Sequence, residues 1–358
     1  MEPEPRDPDQ TMEAAKGHPT GAHRTDAPTG LAADLFDALL RVRARSGSRP
    51  PVLALNGPVG AGKSTLSRQL TVLAKASGLR LAVASIDDFY HPWPERLERL
   101  AGNPFGVSRV PPGSHDLPLL LERLAAWRSG EPLRLTRFDK GLADGEGDRS
   151  GDQVVDAEVL LIEGWLMGCR CLGEERLAAR RPEHLAGWSL TPEEWSWLPR
   201  WDRELAAYQE LWAACDGLWV LRPLRWSLPR RWRFQAEARQ RRSGQGSLEP
   251  AALDRLVRAS LHSLPPPLYQ DPLLEGWTGA EADRSSRWGQ AAAVDEQKKP
   301  DSPHGSGVTA GSAGTAEGVE ADLPGALPLL GVTVLDGRRR PLPEASQSSL
   351  SSVSLAIG

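Results

Sequence analysis

The residues best suited to chemistry form a glycine-rich segment, Gly57 to Ser64, with the sequence G-P-V-G-A-G-K-S. It follows a short apolar run, Val52–Leu55, and precedes a helical pattern, which is the context that a G-x-x-x-x-G-K-[ST] phosphate-binding loop requires. In such a loop the backbone N–H groups converge on phosphate oxygens, a lysine reaches the β- and γ-phosphates, and a serine hydroxyl ligates Mg²⁺. The sequence therefore predicts a site for a nucleoside triphosphate with Mg²⁺. The residues predicted to hold the triphosphate are Gly57, Gly60, Ala61, Gly62, Lys63, Ser64 and Thr65.

Two further apolar runs end in carboxylates. Leu81–Ile86 is followed by Asp87 and Asp88, and the run V-L-L-I that begins at Val159 is followed by Glu163. The carboxyl ends of parallel strands face the crevice in which ligands bind. Asp87 or Asp88 is therefore a candidate base for an acceptor hydroxyl, with an acidic turn or a helix N-cap as the alternative. Glu163 is predicted to lie near Mg²⁺, which makes Ser64 and Glu163 the candidate metal ligands.

The elements that must position these residues follow from the hydrophobic pattern. Short apolar runs predict strands, and the amphipathic segments between them predict helices. Such alternation indicates an α/β fold of the P-loop NTPase type, a parallel sheet with helices on both faces. The predicted strands are Val52–Leu55, Leu81–Ala84, Val159–Ile162 and Leu218–Leu221, and the predicted helices are Leu66–Ala76, Leu117–Trp127, Arg203–Ala214, Trp232–Arg242 and Pro250–Leu261.

Composition predicts a single folded domain between two tails. Residues 1–30 are rich in Pro, Asp, Glu, Thr and Gly and read as a disordered N-terminal tail. Residues 31–277 carry the periodic pattern of a P-loop domain, and residues 278–358 read as a low-complexity, mostly disordered C-terminal tail. One exception in that tail is Leu327–Leu342, where an apolar run followed by Asp336-Gly337 predicts a short hairpin.

Charge, cysteines and hydropathy exclude several classes of protein. Lys and Arg number 43 against 47 Asp and Glu, so the formal net charge of -4 provides no basic field for nucleic acid. The 3 cysteines cannot form a disulfide framework. No apolar run reaches the roughly 18 residues of a membrane span. The acidic, proline-rich N-terminus fits neither a secretory signal nor a transit peptide, so we expect a cytoplasmic protein.

Further sequence blocks narrow the class of P-loop protein. The blocks S-I-D-D-F-Y, G-S-H-D-L-P, F-D-K, G-D-R and I-E-G-W follow the phosphate loop in this order. Together they resemble the D-glycerate 3-kinases of plants and cyanobacteria, within the wider group of P-loop kinases that holds phosphoribulokinase, uridine kinase and pantothenate kinase. The resemblance spans about Pro51 to Tyr269. It implies ATP-dependent phosphorylation of D-glycerate to 3-phosphoglycerate, as in photorespiratory glycerate salvage.

The resemblance also implies roles for individual residues. Asp87 matches the base of the wider kinase group, beside Lys63 and Glu163 in the catalytic set. A glycerate site needs a cation for the carboxylate and polar groups for the hydroxyls. The residues assigned to the substrate are Arg109, His115, Asp116, Asp139, Lys140 and Arg149. Two departures from the family pattern, Val110 and Gly141, predict a slightly different loop backbone and one hydroxyl fewer at the edge of the site.

An arginine-rich segment between Arg222 and Arg242 admits three interpretations. It is a lid whose arginines close over the transferring phosphate, a solvated helix face, or a nucleic-acid-binding helix. The block W-R-F-Q-A-E, which begins at Trp232, resembles the family's segment at this position and favours a lid with Arg231 and Arg233.

Two alternative functions remain open. One is another small-molecule kinase of the same group, acting on a sugar acid, a nucleoside or a pantothenate-like acceptor. The other is a nucleotide-binding regulatory protein. The favoured hypothesis has D-glycerate as its partner, with no nucleic acid and no membrane.

Overall fold

The computed structural model describes residues 29–180, 185, 188–244, 248–274 and 327–343. Most of the predicted N-terminal tail and most of the predicted C-terminal tail lie outside the described residues, and the last two residues of the former, Thr29 and Gly30, are the N-cap and the first residue of α1. The strands are β1 (Val52–Asn56), β2 (Leu81–Ser85), β3 (Leu133–Asp139), β4 (Asp148–Val155), β5 (Val159–Gly164), β6 (Gly217–Pro223) and β7 (Leu329–Leu335). The helices are α1 (Gly30–Arg45), α2 (Lys63–Ala76), α3 (Trp93–Arg99), α4 (Leu117–Arg128), α5 (Glu174–Ala178), α6 (Pro192–Ala206), α7 (Gln209–Ala214), α8 (Leu228–Arg242), α9 (Pro250–His262) and α10 (Pro266–Tyr269).

A parallel sheet with strand order β2-β5-β1-β6-β7 forms the centre of the described structure. Its inner strands β1 and β5 are buried on both faces, as a helix-covered parallel sheet requires. Val52 and Ala54 of β1 face a core layer that includes α4, α6 and α7. Leu53 and Leu55 face the opposite layer, with α1 and α2. The predicted α/β fold with helices on both faces is therefore confirmed.

The predicted strands agree closely with β1, β2, β5 and β6, but one predicted helix is wrong. Arg203–Ala214 is divided between α6 and α7, with a turn at Ala207 and Tyr208. The hydrophobic period does not reveal this break, because Leu205, Tyr208 and Leu211 are all fully buried and keep helical spacing. The turn matters for the site, since it fixes the position of the Tyr208 side chain.

An antiparallel hairpin of β3 and β4 lies outside the main sheet and was not predicted. β4 is mostly exposed and polar, so it lacks the alternation that signals a strand. The hairpin carries the F-D-K block at the end of β3 and the G-D-R block at the start of β4. Phe138 pairs with Arg149, and Asp139 pairs with Asp148, which brings the two blocks side by side.

The sheet also includes a strand from beyond residue 277. β7 pairs in parallel with β6, and a tight turn returns the chain to an antiparallel bridge between Leu335 and Pro341. The predicted hairpin is thus reduced to one bridge, and the main partner of this segment is β6. An isolated hairpin is marginally stable, whereas β7 gains a partner strand and a hydrogen bond from Trp219 Nε1 to Thr333 Oγ1 of 3.0 Å. No helix in the described ranges is both long and apolar enough to cross a bilayer.

Candidate active site

The phosphate loop connects β1 to α2 and depends on its glycines. Gly60 and Gly62 have φ angles of 76° and 96°, a region that favours glycine. A Cβ atom on Gly60 would lie 2.7 Å from the backbone nitrogen of Arg233 in α8, so a side chain there would collide with that helix. The first turn of α2, from Lys63, leaves backbone N–H groups without intrahelical acceptors. The loop therefore fits a polyphosphate, as the sequence predicts.

Lys63, Ser64 and Glu163 meet at the carboxyl ends of adjacent strands. The Lys63 Nζ atom donates to the Gly57 carbonyl over 2.9 Å and lies 3.6 Å from Glu163 Oε2. The Ser64 hydroxyl donates to Glu163 Oε1 over 3.1 Å. Glu163 pairs in register with Leu55 of β1 on one side and with Ser85 of β2 on the other. A hydroxyl and a carboxylate this close supply the oxygen ligands that Mg²⁺ prefers, so the residues present fit the implied metal.

The two neighbouring acids after β2 have different surroundings. Ser85 caps a short 3₁₀ turn over Ile86–Phe89, and the Asp88 carboxylate accepts the Ser85 N–H over 3.2 Å. Asp88 also lies 3.7 Å from an Arg137 nitrogen. Asp87 makes neither contact, and its side chain is 34% exposed. The cap thus engages Asp88 and leaves the Asp87 carboxylate outside these contacts and partly exposed, and the role of Asp87 as the base stays a prediction.

A chain of buried polar groups stands behind Asp87. The Asp87 Oδ1 atom accepts the Tyr90 hydroxyl over 2.8 Å and lies 3.5 Å from His115 Nε2. His115 Nδ1 lies 2.6 Å from the Tyr208 hydroxyl oxygen, and the Gly113 N–H donates to that oxygen over 3.3 Å. Because the oxygen already accepts from Gly113, its own proton is free to go to Nδ1, which leaves the His115 proton on Nε2, toward Asp87. His115 is one of the site residues predicted from the sequence, whereas Tyr208 is not.

These contacts set the acidity of Asp87. Burial by itself would raise the pKa of the Asp87 carboxyl. The hydrogen bond and the electrostatic interaction with His115, the positive charge of Lys140, and the Tyr90 hydroxyl outweigh it and hold that pKa well below its ordinary value. Asp87 is therefore ionised near neutral pH, the state in which a carboxylate can orient and deprotonate a hydroxyl. By contrast, burial raises the pKa of Asp88.

Three residues predicted to bind the substrate make internal contacts instead of pointing at an open site. The buried Arg109 guanidinium donates to the Gly145 carbonyl over 3.2 Å and also to that of Glu146. Asp116 caps α4 by accepting the Leu119 N–H over 3.1 Å, and it accepts an Arg149 N–H over 2.7 Å. These contacts join the loop before α4 to the β3–β4 hairpin. Substrate roles for Arg109, Asp116 and Arg149 stay predictions.

Two other predicted substrate residues lie at the exposed tip of the hairpin. Asp139 accepts the Gly141 N–H over 2.8 Å, so the position that lacks a hydroxyl is part of a turn that Asp139 closes. Lys140 is exposed and contributes positive charge at Asp87. Val110 has a φ of 94°, in the region that favours glycine. Val110 therefore adopts a conformation that glycine would take without strain, and the expected difference of this loop from the family's stays a prediction.

One buried arginine that the sequence did not single out holds the loops of the site together. Arg96 of α3 is fully buried, and its guanidinium donates to the carbonyls of His91, Ser108, Glu146 and Gly147. Its charge also lies 5.5 Å from the ring centre of Tyr90. Nothing in the sequence distinguishes Arg96 from the exposed charges of its helix, because its acceptors are backbone groups from distant segments.

The two predicted lid arginines lie near the start of α8. Arg231 is exposed, and Arg233 pairs with Glu237 over 3.0 Å. The close approach of Gly60 to this turn of α8 places the helix directly on the phosphate loop. The lid role of Arg231 and Arg233 stays a prediction.

An open cavity of about 250 Å³ adjoins the phosphate loop. It collects Ser64 and Glu163 with Asp88 and adds Arg137 from β3, a cation in the F-D-K region that was not among the predicted site residues. The full lining is Ser64, Ser67, Arg68, Thr71, Val83, Ser85, Asp88, Arg137 and Glu163. This edge of the sheet thus presents carboxylates, a hydroxyl and a guanidinium around one opening.

Comparison with known proteins agrees with the fold and the motifs. No protein-family model matches the chain. The chain is 29% identical over 267 residues to the chloroplastic D-glycerate 3-kinase of Arabidopsis thaliana, an alignment that covers 70% of this chain and 54% of the plant protein. It therefore spans about half the length of that relative. It is 30% identical over 205 residues to the uncharacterized kinase mug58 of Schizosaccharomyces pombe, covering 53% of this chain and 70% of the yeast protein.

The fold has a counterpart among solved structures. The D-glycerate 3-kinase from Cryptococcus neoformans superposes with a TM-score of 0.66 at 23% identity, covering 88% of this chain and 98% of that one. At this identity the likeness is one of fold. Together with the phosphate loop and the acidic strand ends, the sequence relationships place this chain in the family of P-loop kinases that includes the plant D-glycerate 3-kinase and mug58.

Proposed function

We propose that this protein is an ATP-dependent kinase that transfers the γ-phosphoryl group to the 3-hydroxyl of D-glycerate. The observation that carries the proposal is the convergence of Lys63, Ser64, Glu163 and Asp87 at the carboxyl ends of β1, β5 and β2. Such a set supplies a phosphate cradle, metal ligands and a base, which phosphoryl transfer requires. The relationship to a plant D-glycerate 3-kinase favours glycerate as the acceptor.

The phosphate loop and the start of α2 would hold the triphosphate through backbone N–H groups, with Lys63 at the β- and γ-phosphates. Ser64 and Glu163 would hold Mg²⁺, which neutralises charge on the phosphate oxygens when bound. Glu163 is only 8% exposed, so its charge is little screened by water and acts strongly on groups beside it. Arg231 and Arg233 of α8 would complete the site on closure.

Asp87 would accept the proton of the acceptor hydroxyl. Tyr90 and His115 both approach the same carboxylate oxygen, Oδ1, so Oδ2 is the better placed atom for the hydroxyl. The low pKa of Asp87 keeps it ionised, at the cost of making it a weak base. Its main contribution is therefore orientation of the attacking oxygen, with proton acceptance completed as the P–O bond forms.

The acceptor carboxylate needs a cation that is not already engaged. Arg109 and Arg149 bond to groups of the protein itself. Arg137 lines the cavity beside Glu163, but it donates to Gln153 over 2.9 Å and lies 3.7 Å from Asp88. Lys140 is exposed and adds positive charge at Asp87. We therefore assign the acceptor carboxylate to Lys140. Replacing Lys140 with methionine should raise the KM for the acceptor and leave the KM for ATP unchanged.

The decisive experiment measures ADP formation with Mg·ATP and a panel of acceptors: D-glycerate, sugar acids, nucleosides and pantothenate. D-glycerate should give the highest kcat/KM. The acceptor assignment is wrong if another member of the panel turns over while D-glycerate gives only the background rate. Failure of every acceptor, with intact Mg·ATP binding, would instead favour a nucleotide-binding regulatory protein.

Asp87→Asn tests the catalytic role separately. Loss of a positioned base lowers kcat by about 10²- to 10⁴-fold, and we expect unchanged Mg·ATP affinity because Asp87 does not touch the phosphate loop. Asp254→Asn is the matched control, since Asp254 lies on α9 in an exposed ion pair with Arg230. Equal activity of both variants would refute the role of Asp87.

A further inference from the structure

A side chain from the C-terminal segment reaches the phosphate loop. Arg339, in the turn after β7, donates from Nε to the Gly60 carbonyl over 2.6 Å and from an Nη2 atom to the Trp232 carbonyl over 2.7 Å. A second hydrogen bond joins the same segments, since the Trp232 Nε1 atom donates to the Gly337 carbonyl over 3.1 Å. One guanidinium thereby joins β7, the phosphate loop and the first turns of α8.

The backbone of Arg339 adopts a conformation that its own side chain disfavours. Its φ angle is 64°, in the left-handed region. The turn is closed by the Arg339 N–H donating to the Asp336 carbonyl over 2.9 Å and by the Asp336 N–H donating to the Arg340 carbonyl over 3.0 Å. Glycine or asparagine would suit this position better, so the turn accepts a strained arginine. We explain the presence of an arginine at this strained position by the contacts that its guanidinium makes.

The surroundings of Arg339 leave its charge uncompensated. Within the described part of the chain its hydrogen-bond partners are the two carbonyls, and no carboxylate pairs with it, whereas its neighbour Arg340 pairs with Asp336 over 2.8 Å. Burial lowers the pKa of Arg339, and the positive charge of Arg239 in α8 lowers it further. Two cations beside a phosphate loop form a site that an anion would stabilise.

We propose that Arg339 is a positioning residue for the nucleotide. It fixes the Gly60 peptide of the phosphate loop against α8, and it thereby holds the backbone N–H groups of the loop in place for the triphosphate. The strand and turn of residues 327–343 are then a working part of the nucleotide site. The inference rests on the proposed binding of ATP and is independent of the identity of the acceptor.

The test uses four variants of the full chain: Arg339→Ala, Arg339→Gly, Arg339→Lys and Arg338→Ala. Arg339→Gly removes the guanidinium but suits the left-handed backbone, so it separates loss of the contact from loss of the turn. Arg338→Ala is the matched control, because Arg338 is an exposed arginine in the same turn. The readouts are the Kd for Mg·ATP by calorimetry, the KM values for ATP and for the acceptor, and the thermal unfolding midpoint.

We expect Arg339→Ala and Arg339→Gly to weaken Mg·ATP binding about tenfold or more, since each removes two charge-assisted hydrogen bonds. Arg339→Lys keeps the positive charge but loses the planar guanidinium that donates to both carbonyls, so it should recover part of that affinity. The KM for the acceptor should not change, Arg338→Ala should behave as wild type, and Arg339→Gly should unfold at a higher temperature than Arg339→Ala.

Two results would overturn the inference while wild type binds Mg·ATP. One is wild-type nucleotide affinity in a folded Arg339→Gly protein. The other is an equal loss of ATP and acceptor affinity that follows the loss of thermal stability, which would mark a purely structural residue. If the wild-type protein itself fails to bind Mg·ATP, the proposed function fails, and that failure is seen without any variant.

Discussion

Replacing Tyr208 with phenylalanine removes one oxygen atom from the buried chain behind Asp87. That oxygen lies 2.6 Å from His115 Nδ1 and accepts the Gly113 N–H over 3.3 Å. Tyr208 is fully buried and His115 is 3% exposed, so water does not replace the lost partner. A buried polar group left without its partner costs about 1–3 kcal/mol. His115 bears most of that cost, because the Gly113 contact is longer and less buried.

We therefore expect Tyr208→Phe to lower the free energy of unfolding by about 2 kcal/mol. For a domain of this size each kcal/mol lowers Tm by roughly 2–4 °C, so the midpoint should fall by roughly 4–8 °C. Thermal and urea unfolding measure this part of the prediction. It does not by itself distinguish a structural tyrosine from one that acts on the site.

The pH dependence of kcat/KM makes that distinction. Without the tyrosine hydroxyl, His115 is free to carry its proton on Nδ1. Asp87 then loses the hydrogen bond from His115, which is the largest of the effects that lower its pKa. The pKa of Asp87 rises toward its ordinary value, so the base becomes protonated at higher pH. The acidic limb of the profile should move to higher pH, and kcat should fall as Asp87 loses a fixed orientation.

Tyr269→Phe is the matched control. Tyr269 is also fully buried and donates its hydroxyl to a carboxylate, that of Asp202, over 2.8 Å, away from Asp87. It should lose comparable stability and keep the wild-type pH profile. The reasoning is refuted if the acidic limb of Tyr208→Phe does not move, or if it moves by the same amount in Tyr269→Phe.

Two further predictions concern stability. Arg96→Met should lower the unfolding free energy in urea by at least about 3 kcal/mol, because several buried carbonyls lose a charged donor; a smaller loss would mean that water reaches them. His262, Arg258 and the Thr191 N–H outweigh burial and lower the pKa of Glu194 from 4.5 to about 2. This stabilisation, worth about 3 kcal/mol, is present above the unfolded pKa and is lost as pH falls through the folded one. Glu194→Gln should therefore cost stability near neutral pH and flatten the acid-induced loss; an unchanged acid profile would contradict the assignment.

The sequence by itself determined the features whose geometry is local. Gly57 to Ser64 must form a phosphate loop because its conformation depends on nearby glycines and on the start of a helix. Apolar runs ending in Asp87 and Glu163 place those carboxylates at strand ends, and parallel pairing then brings the ends to one edge of the sheet. Strands β1, β2, β5 and β6 and helices α2, α4, α8 and α9 follow from such short-range rules.

Only the tertiary structure decided which side chains surround those groups. Asp87 and Asp88 are equivalent in sequence, and the cap on Ser85 distinguishes them. Tyr208 looks like one more apolar position of a helix until the break at Ala207 turns it toward His115.

Arg339 shows most clearly what local sequence patterns cannot predict. In the sequence 279 positions separate it from Gly60, and it lies in a segment whose low complexity predicts a tail. Periodicity and spacing report contacts within a few turns of chain. A hydrogen bond between distant segments depends on how the whole sheet closes, and no local pattern encodes it.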